Sequence, residues 1–374
     1  MSWKREGSTL YANWRGDGVK MAAKYAAFRY LFSVHSLPVA WLLNRLSPYP
    51  ILLEIETSTA CDLRCTMCEL SLGHKRWGQP AKLMPYDDIV KVLDQFPALI
   101  WYDCTGIGEP LLHPRFLDMV GEAKRRGLYT ECFDHMGNWD EDVTDFIIDH
   151  KLNRVQPSVD GATKETYESI RRGASFETMC HNIRYLFAEK KRRGTHLPIV
   201  DFHMIVQEAN IHEMPDFVNL VRSLAGDQRV GIQFTEVLRE IDGLDAKKVP
   251  IDEAWMRVVE ERAKSLGVQV WFNRNSEGRP KADMRQCNAW HMPFITVEGF
   301  VYPCCAQNER GDRKWQNDRS MGNIFKQSFK EIWNGPRYTE LRRKMRKGET
   351  PDFCEKCPVF ESKEDRAAKA AAKK

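Results

Sequence analysis

Three cysteines stand within eight residues of the segment CDLRCTMCEL, at Cys61, Cys65 and Cys68. Thiolates are soft ligands that select iron–sulfur clusters, zinc or copper(I). A [4Fe–4S] cluster held by three cysteines keeps one iron free of protein ligands, and an open position is where a metal site does chemistry. Spacing alone also allows a zinc ion completed by a distant ligand such as His74. The segment therefore predicts a metal site whose metal is decided by the rest of the chain.

A second group of cysteines lies near the end of the chain, at Cys287, Cys304, Cys305, Cys354 and Cys357. Taken alone, this group is as typical of a structural zinc ribbon as of an iron–sulfur site, since cysteine pairs on a hairpin also ligate zinc. Three further cysteines, Cys104, Cys132 and Cys180, stand apart, and a lone cysteine is most often a small buried apolar residue.

The composition is that of a globular protein, with 374 residues, 43% hydrophobic and 29% charged. This length accommodates one large and one small domain. A net charge of +4 is nearly balanced and argues against a nucleic-acid partner. The polar start MSWKREGSTLYANWRGDG has no secretory signal, and no run of 18 apolar residues predicts a membrane span. Clustered cysteines without an export signal favour metal binding in the reducing cytoplasm.

Extended apolar runs alternate with helical stretches between residues 51 and 236. The runs with strand character are ILLEIETS, LIWYDCTG, LYTECFD, RVQPSVD, IVDFHMIVQ and VGIQFTEV. Such alternation predicts a parallel sheet with right-handed crossovers, whose ligands bind at the carboxyl ends of the strands. The first cysteine group follows the first strand directly, so we expect it at that edge of the sheet.

The segments that flank this alternation differ from it. Residues 18–46 have helical spacing, and we expect a helix packed on the sheet domain, with a membrane-surface or substrate-gating helix as the alternative. After residue 236 a helix near 252–266 and a short strand VQVWF are predicted, and PFITVEGFVYPCC predicts a hairpin that turns at Glu298-Gly299. The basic, alanine-rich residues 363–374 are expected to be disordered.

Four motifs, in order and each at the end of a predicted strand, resemble those of the radical S-adenosylmethionine (SAM) enzymes. They are the C-x3-C-x2-C segment, TGIGEPLLHPRF, SVDGATKETYESIRRG and MIVQEANIHEM. The resemblance implies an α/β fold, a partial (β/α)6 barrel, and a [4Fe–4S] cluster on Cys61, Cys65 and Cys68 whose open iron chelates SAM. It further implies reductive cleavage of SAM to a 5′-deoxyadenosyl radical, with electrons from a low-potential donor such as flavodoxin or ferredoxin.

The resemblance also implies contacts to SAM from Gly106, Gly108, Glu109, Ser158, one of Arg171 or Arg172, and Asn210. The sequence departs from the family after the third strand, where TECFDHMGNW stands in place of Thr-Asn-Gly. Asp134, His135 and Asn138 would then face the cavity, or the segment is a polar loop capped by Asn138 or Asp140.

The second cysteine group resembles the SPASM/twitch extension of radical SAM enzymes. The resemblance implies one auxiliary [4Fe–4S] cluster on Cys287, Cys304, Cys354 and Cys357, because no cysteine follows Cys357 to hold a second. The Gly-x4-Cys spacing selects Cys304, and Cys305 would point the other way along a strand. The domains are then a helical extension, the barrel, the SPASM/twitch domain and the tail, at 1–48, 49–240, 241–362 and 363–374.

We expect a net oxidation of a small-molecule substrate, such as alcohol dehydrogenation or decarboxylation. A closed four-cysteine cluster suits electron acceptance, and the helical start lacks the strands of a peptide-binding winged helix. One alternative is an epimerase with Cys104, Cys132 or Cys305 as hydrogen donor, and another is a peptide-modifying maturase. A rival of another class, a zinc protein that recognises RNA or a protein partner, predicts a basic face that the near-neutral charge does not favour.

Overall fold

The computed structural model describes residues 3–33, 37–73, 80–274, 281–306, 313–355, 357 and 359–362. The helices are α1 Trp3–Asp17, α2 Val19–Ser33, α3 Leu37–Leu46, α4 Tyr86–Asp94, α5 Phe116–Arg125, α6 Glu141–Asp149, α7 Lys164–Ile170, α8 Phe176–Arg192, α9 Met214–Ala225, α10 Glu253–Leu266, α11 Arg313–Asp318, α12 Phe329–Asn334 and α13 Pro336–Lys347. The strands are β1 Leu52–Ile55, β2 Arg64–Cys65, β3 Trp101–Asp103, β4 Tyr129–Asp134, β5 Arg154–Pro157, β6 Arg171–Arg172, β7 Ile199–Val206, β8 Gly231–Glu236, β9 Gln269–Asn273, β10 Ala282–Asp283, β11 Phe294–Ile295, β12 Phe300–Tyr302, β13 Gly322–Asn323 and β14 Phe360–Glu361. The basic tail and His74 lie outside the described residues.

The predicted alternation of strands and helices is confirmed, and it builds one large, mostly parallel sheet. The strand order is β13-β12-β11-β1-β3-β4-β5-β7-β8-β9. The six predicted strands, β1, β3, β4, β5, β7 and β8, are adjacent and parallel. Helices cover the sheet with apolar faces; in α4, for example, Ile89, Val92 and Leu93 are buried at helical spacing.

The sheet is wider than the sequence predicted. On one side β9 adds a parallel strand to β8. On the other side β11 pairs in parallel with β1, so that Ile55 lies opposite Ile295, and β12 and β13 follow in antiparallel fashion. The β11–β12 hairpin turns at Gly299, whose φ is +82° and whose N–H donates to the carbonyl of Thr296 at 2.7 Å. The second cysteine group is thereby joined to the first strand of the barrel.

Helices α1 and α2 close the amino-terminal end of the barrel. Tyr25 of α2 is 2% exposed and packs against Trp101 and Tyr129, the first inward-facing rings of β3 and β4. In α1, Asn13 accepts a hydrogen bond from the Nδ2 of Asn153, just before β5, at 3.0 Å. The predicted helical extension is confirmed, and no described helix is long and apolar enough to cross a membrane.

Candidate active site

The first cysteine group lies at the carboxyl end of β1 and is held there by the loop after β3. The N–H of Gly108 donates to the carbonyl of Ser58 at 3.2 Å, and the N–H of Glu109 donates to that of Ala60 at 2.7 Å. A Cβ on Gly108 would lie 2.4 Å from the Ser58 oxygen, and one on Gly106 would lie 2.9 Å from the Cα of Glu56. Both glycines are therefore needed because two backbone segments touch.

The structure brings Cys61, Cys65 and Cys68 together in a water-poor site. Burial raises the pKa of all three thiols, that of Cys65 to about 11, and the neighbouring thiolates raise the pKa of Cys65 and Cys68 further. Thiolates crowded in this way are stabilised by a metal or a cluster, because otherwise they repel one another.

The spacing of the sulfur atoms distinguishes a cluster from a single metal ion. Among the described residues, Glu109, Asp134 and His135 are the one set of three candidate ligands whose ligand atoms all lie within 4.8 Å of one another. No three cysteine sulfurs meet that limit, whereas sulfurs around one zinc ion lie roughly 3.8 Å apart. In the described residues, the sulfur spacing of neither cysteine group is therefore that of ligands around a single zinc ion.

Arg171 lies beside the cysteine loop because β2 and β6 pair in antiparallel fashion, with Cys65 opposite Arg171. Its guanidinium is buried and forms an ion pair with Asp160 at 2.7 Å. Arg172 points the other way and pairs with Asp245 on the surface. Of the two arginines that the sequence left open, Arg171 is the one that faces the site.

Ser158 and Asn210 lie at the ends of β5 and β7. Ser158 is half-buried, and its N–H donates to the carbonyl of Asp134 at 2.8 Å. The Asn210 amide group donates to the carbonyls of Asp160 and Ile205 at 3.0 and 2.9 Å, and its oxygen accepts from Gln207 N–H. Asn210 is therefore engaged in shaping its own loop.

Asp134 and His135 connect the end of β4 to the cysteine loop. The Nε2 of His135 lies 3.0 Å from Asp62, and the Asn138 amide donates to the same carboxylate at 3.0 Å. Burial and the neighbouring Asp134 raise the pKa of Glu109 well above its usual range. Asp140 caps α6 instead. Both interpretations of the segment TECFDHMGNW are therefore partly correct: His135 contacts the cysteine loop, and Asp140 caps a helix.

The second group brings Cys287, Cys304, Cys354 and Cys357 together. Burial raises the pKa of Cys287 to about 12, and the charges of Cys287 and Cys357 raise the pKa of both Cys304 and Cys354. Cys304 and Cys305 both follow the end of β12, so the predicted alternation along a strand does not separate them.

Cys305 contacts Glu54, which begins a row of charged side chains inside the barrel. Glu54, Asp103, Glu131 and Arg154 stand opposite one another in register on β1, β3, β4 and β5. Burial raises the pKa of Glu54 and of Asp103 to about 7. These four residues were not among the predicted site residues, although acidic residues at alternate positions of apolar strands are visible in the sequence.

The opposite wall of the barrel carries neutral polar groups. The Nε2 of His203 lies 2.9 Å from the Oγ1 of Thr235, and Trp271 Nε1 donates to Gln233 at 2.9 Å. Burial and the charge of Arg171 lower the pKa of His203 to about 4, so its ring is neutral. The interior of the barrel is therefore lined by acidic side chains on one wall and by neutral hydrogen-bonding groups on the other.

Cys104, Cys132 and Cys305 are the thiols named above as possible hydrogen donors, and the first two are remote from this interior. Cys104 and Cys132 are fully buried among apolar residues and contact each other, and the Cys104 sulfur donates to the Glu131 carbonyl at 3.3 Å. Only Cys305, which is half-buried, remains as a thiol beside the acidic row.

Two family models match the chain. One, described as the radical SAM superfamily, matches residues 55–221, and the other, described as an iron-sulfur cluster-binding domain (SPASM), matches residues 287–358. Together they cover more than half of the chain, and each includes one cysteine group.

Named relatives span most of the chain. It is 26% identical over 317 residues to the tungsten-containing aldehyde ferredoxin oxidoreductase cofactor-modifying protein of Pyrococcus furiosus, covering 78% of this chain and 82% of the relative. It is 24% identical over 294 residues to the PqqA peptide cyclase of Gluconobacter oxydans, covering 76% of each.

A solved structure shares the fold. Streptococcus suis SuiB bound to S-adenosylmethionine is similar with a TM-score of 0.64 and 14% identity, covering 97% of this chain and 93% of that chain. SuiB bound to precursor peptide SuiA is similar with a TM-score of 0.62 and 13% identity, covering 97% and 92%.

Proposed function

Because the chain belongs to the radical SAM superfamily and carries a C-terminal SPASM domain, we propose that it is a maturase that oxidises a residue of a peptide substrate. It is a radical SAM enzyme that binds a [4Fe–4S] cluster and SAM, and SPASM domains bind auxiliary clusters. The similarity to a PqqA peptide cyclase supports a peptide. This replaces the small-molecule expectation, which depended on the helical start of the chain.

Each cofactor has residues that fit it. Cys61, Cys65 and Cys68 would hold the SAM-binding cluster, and Arg171 would lie near the carboxylate of SAM. Gly106, Gly108, Glu109, Ser158 and Asn210 would shape the SAM pocket, with Asn210 acting through its loop. Cys287, Cys304, Cys354 and Cys357 would hold a single auxiliary cluster. When bound, these groups supply a 5′-deoxyadenosyl radical and an acceptor for the electron left on the substrate.

The position of Glu54 carries the proposal of an oxidation. β1 bears the first cysteine group at its end and pairs with β11, which leads into the second group. Glu54 faces the barrel interior and contacts Cys305, the chain neighbour of Cys304. A substrate in this interior would lie between the two cysteine groups, which suits hydrogen abstraction at one and electron acceptance at the other.

The row that begins at Glu54 also favours a particular substrate. The row contains three acidic side chains, Glu54, Asp103 and Glu131, and one basic side chain, Arg154. The acidic groups of the row therefore outnumber the basic ones. A peptide that brings a lysine or arginine side chain would offset this excess and place its neighbouring carbons inside the barrel.

The test uses size-separated fractions of a cell extract. The reconstituted enzyme is incubated anaerobically with SAM, dithionite and either the peptide fraction or the fraction of smaller molecules. We expect the peptide fraction to stimulate 5′-deoxyadenosine formation, and a peptide to lose two hydrogen atoms in its mass spectrum. Protease treatment of that fraction should abolish the effect. Stimulation by the small-molecule fraction alone, insensitive to protease, would overturn the peptide assignment.

Epimerisation is the second candidate, because Cys305 is a half-buried thiol beside the acidic row. The carbon radical would then take a hydrogen atom from the Cys305 thiol in place of losing an electron, and one electron from the reductant with a proton from water would convert the resulting thiyl radical back to the thiol. In D2O the product would gain one deuterium with its bonds otherwise unchanged, and Cys305→Ala would stop this incorporation. An oxidised product without deuterium excludes this candidate.

A further inference from the structure

The three N-terminal helices expose most of the large apolar side chains on the described surface. Of the eleven that are exposed there, seven lie within residues 10–46: Leu10, Tyr11, Trp14, Val19, Trp41, Leu42 and Leu46. We call these seven the N-terminal apolar face. Trp41 is 57% exposed and Leu46 65% exposed. Single exposed apolar residues need no explanation, but such a concentration indicates an interaction surface.

The exposed positions follow the helical period. On α1 the exposed side chains include Leu10, Tyr11, Trp14 and Arg15, and on α3 they include Trp41, Leu42, Arg45 and Leu46. Both sets have the spacing i, i+1, i+4 and i+5, which forms one stripe along a helix. Each stripe thus combines aromatic and aliphatic side chains with an arginine, and the Arg45 guanidinium lies 5.5 Å from the Trp41 ring.

Helices α1 and α2 meet the rest of the fold through their other sides. Ala12 of α1 is buried against Leu197 and Ile199, and Tyr25 of α2 is buried under the barrel. α3 packs against α13 and leads directly into the amino-terminal end of β1. The three helices that carry the N-terminal apolar face therefore lie at the amino-terminal ends of the strands, opposite to the edge that carries the first cysteine group.

Charge distinguishes this face from the rest of the chain. Residues 1–46 contain seven lysines and arginines and two acidic residues, a net charge of +5, whereas the remaining 49 basic and 50 acidic residues give −1. Arg15, Lys20 and Arg45 are exposed beside the apolar side chains. The acidic Asp17 is turned inward, where it accepts from Lys124 at 2.7 Å.

We propose that the N-terminal apolar face docks the enzyme on an anionic membrane surface. Tryptophan, leucine and arginine along helices that are too short and polar to cross a bilayer are typical of segments that lie in the membrane interface. Arginine and lysine beside them attract acidic headgroups. A protein partner would need an acidic groove, and a second copy would bring two basic faces together, so the charge favours lipid over both.

Docking in this way determines the side from which a substrate reaches the barrel. The SAM-binding edge of the sheet points away from the membrane, so the enzyme takes its substrate from the aqueous side. The surface localises the enzyme and does not feed lipid into the barrel.

The test is co-sedimentation of the full chain with vesicles. We expect binding to mixed phosphatidylcholine–phosphatidylglycerol vesicles, weakening with added salt, and little binding to pure phosphatidylcholine. The triple variant Trp14→Ser, Trp41→Ser, Leu42→Ser should bind the acidic vesicles about tenfold more weakly. Arg15→Gln with Arg45→Gln should weaken binding and reduce its salt dependence.

Val258→Ser is the matched control, because Val258 is 49% exposed on α10, outside the face. It should bind vesicles as the unmodified protein does, and every variant should still form 5′-deoxyadenosine from SAM. Absence of vesicle binding by the full chain, or equal binding by the triple variant, overturns the proposal. A concentration-dependent dimer in light scattering that the triple variant loses, without vesicle binding, would assign the face to a second copy.

Discussion

Arg313 donates from Nη2 to the Oε1 of Glu56 at 2.6 Å, and both side chains are almost completely buried. The second carboxylate oxygen of Glu56 accepts from the N–H of Val297 at 3.0 Å. Glu56 follows β1, while Val297 and Arg313 belong to the segment that carries the second cysteine group. The pair therefore fixes the two cysteine groups relative to each other.

Arg313→Met should lower the free energy of unfolding by about 3–5 kcal/mol, because it leaves the carboxylate of Glu56 buried without its cation. Adding Glu56→Gln should recover part of this loss, since the uncompensated charge is then absent. The measurement is chemical denaturation followed by circular dichroism. Arg343→Met, which removes a surface pair with Glu340, serves as the control and should leave the denaturation midpoint unchanged. Equal effects of the two arginine variants would show that the buried pair has no special role.

Iron content tests the assignment of the two cysteine groups. The reconstituted protein should contain about eight irons per chain, from two [4Fe–4S] clusters. Replacing Cys61, Cys65 and Cys68 with alanine should leave about four irons and abolish SAM cleavage. Iron and zinc are measured together by elemental analysis. Stoichiometric zinc with no absorbance near 400 nm would contradict both cluster assignments.

The strands and helices from 51 to 236 were predictable because their periodicity is local and strong. The segments of β9 and β11 were also predicted to be extended, but their places in the sheet were not, since local patterning does not show which strand each of them will pair with. Ile295, for example, pairs with Ile55, and the strand that contains it has two residues. Local patterning cannot indicate which edge a two-residue strand will join.

The grouping of the cysteines was predictable from the sequence, and the surroundings of each group were less so. Cysteine spacing indicated the residues of both groups, but the choice between Arg171 and Arg172 needed the pairing of β6 with β2. Asn210 was expected to contact SAM, and the structure shows its amide bonded to the main chain. The partner of a buried amide depends on tertiary packing, which a motif does not encode.

Cys304→Ala should separate the two steps of the reaction. SAM cleavage at the first cluster should continue, while the oxidised product is lost because the substrate radical has no electron acceptor. The products 5′-deoxyadenosine and modified peptide are quantified by mass spectrometry, with absorbance confirming that the first cluster remains. Cys305→Ala is the matched control at the neighbouring thiol and should keep both products. Full oxidised product from Cys304→Ala would limit the auxiliary cluster to a structural role.

The acidic row should make stability depend on pH. Burial raises the pKa of Glu54 from 4.5 to about 7, so the native state holds a proton that the unfolded state releases. Its contribution is present below about pH 4.5 and is lost as the pH rises through about 7. Glu54→Gln should therefore raise the free energy of unfolding at pH 8 by about 1–3 kcal/mol and have little effect at pH 4.5. A variant with the same pH profile as the unmodified protein would contradict this.

Tyr25 tests whether the N-terminal helices belong to the barrel core. Its ring lies 5.6 Å from that of Tyr129 and 6.1 Å from that of Trp101, and these rings close the amino-terminal end of the barrel. Tyr25→Ala removes a buried aromatic ring and should lower the free energy of unfolding by about 3–5 kcal/mol. Tyr11→Ala, at a half-exposed tyrosine on α1, should change it by less than about 0.5 kcal/mol. If both variants unfold at the same denaturant concentration as the unmodified protein, α2 is an appendage of the barrel and not a part of its core.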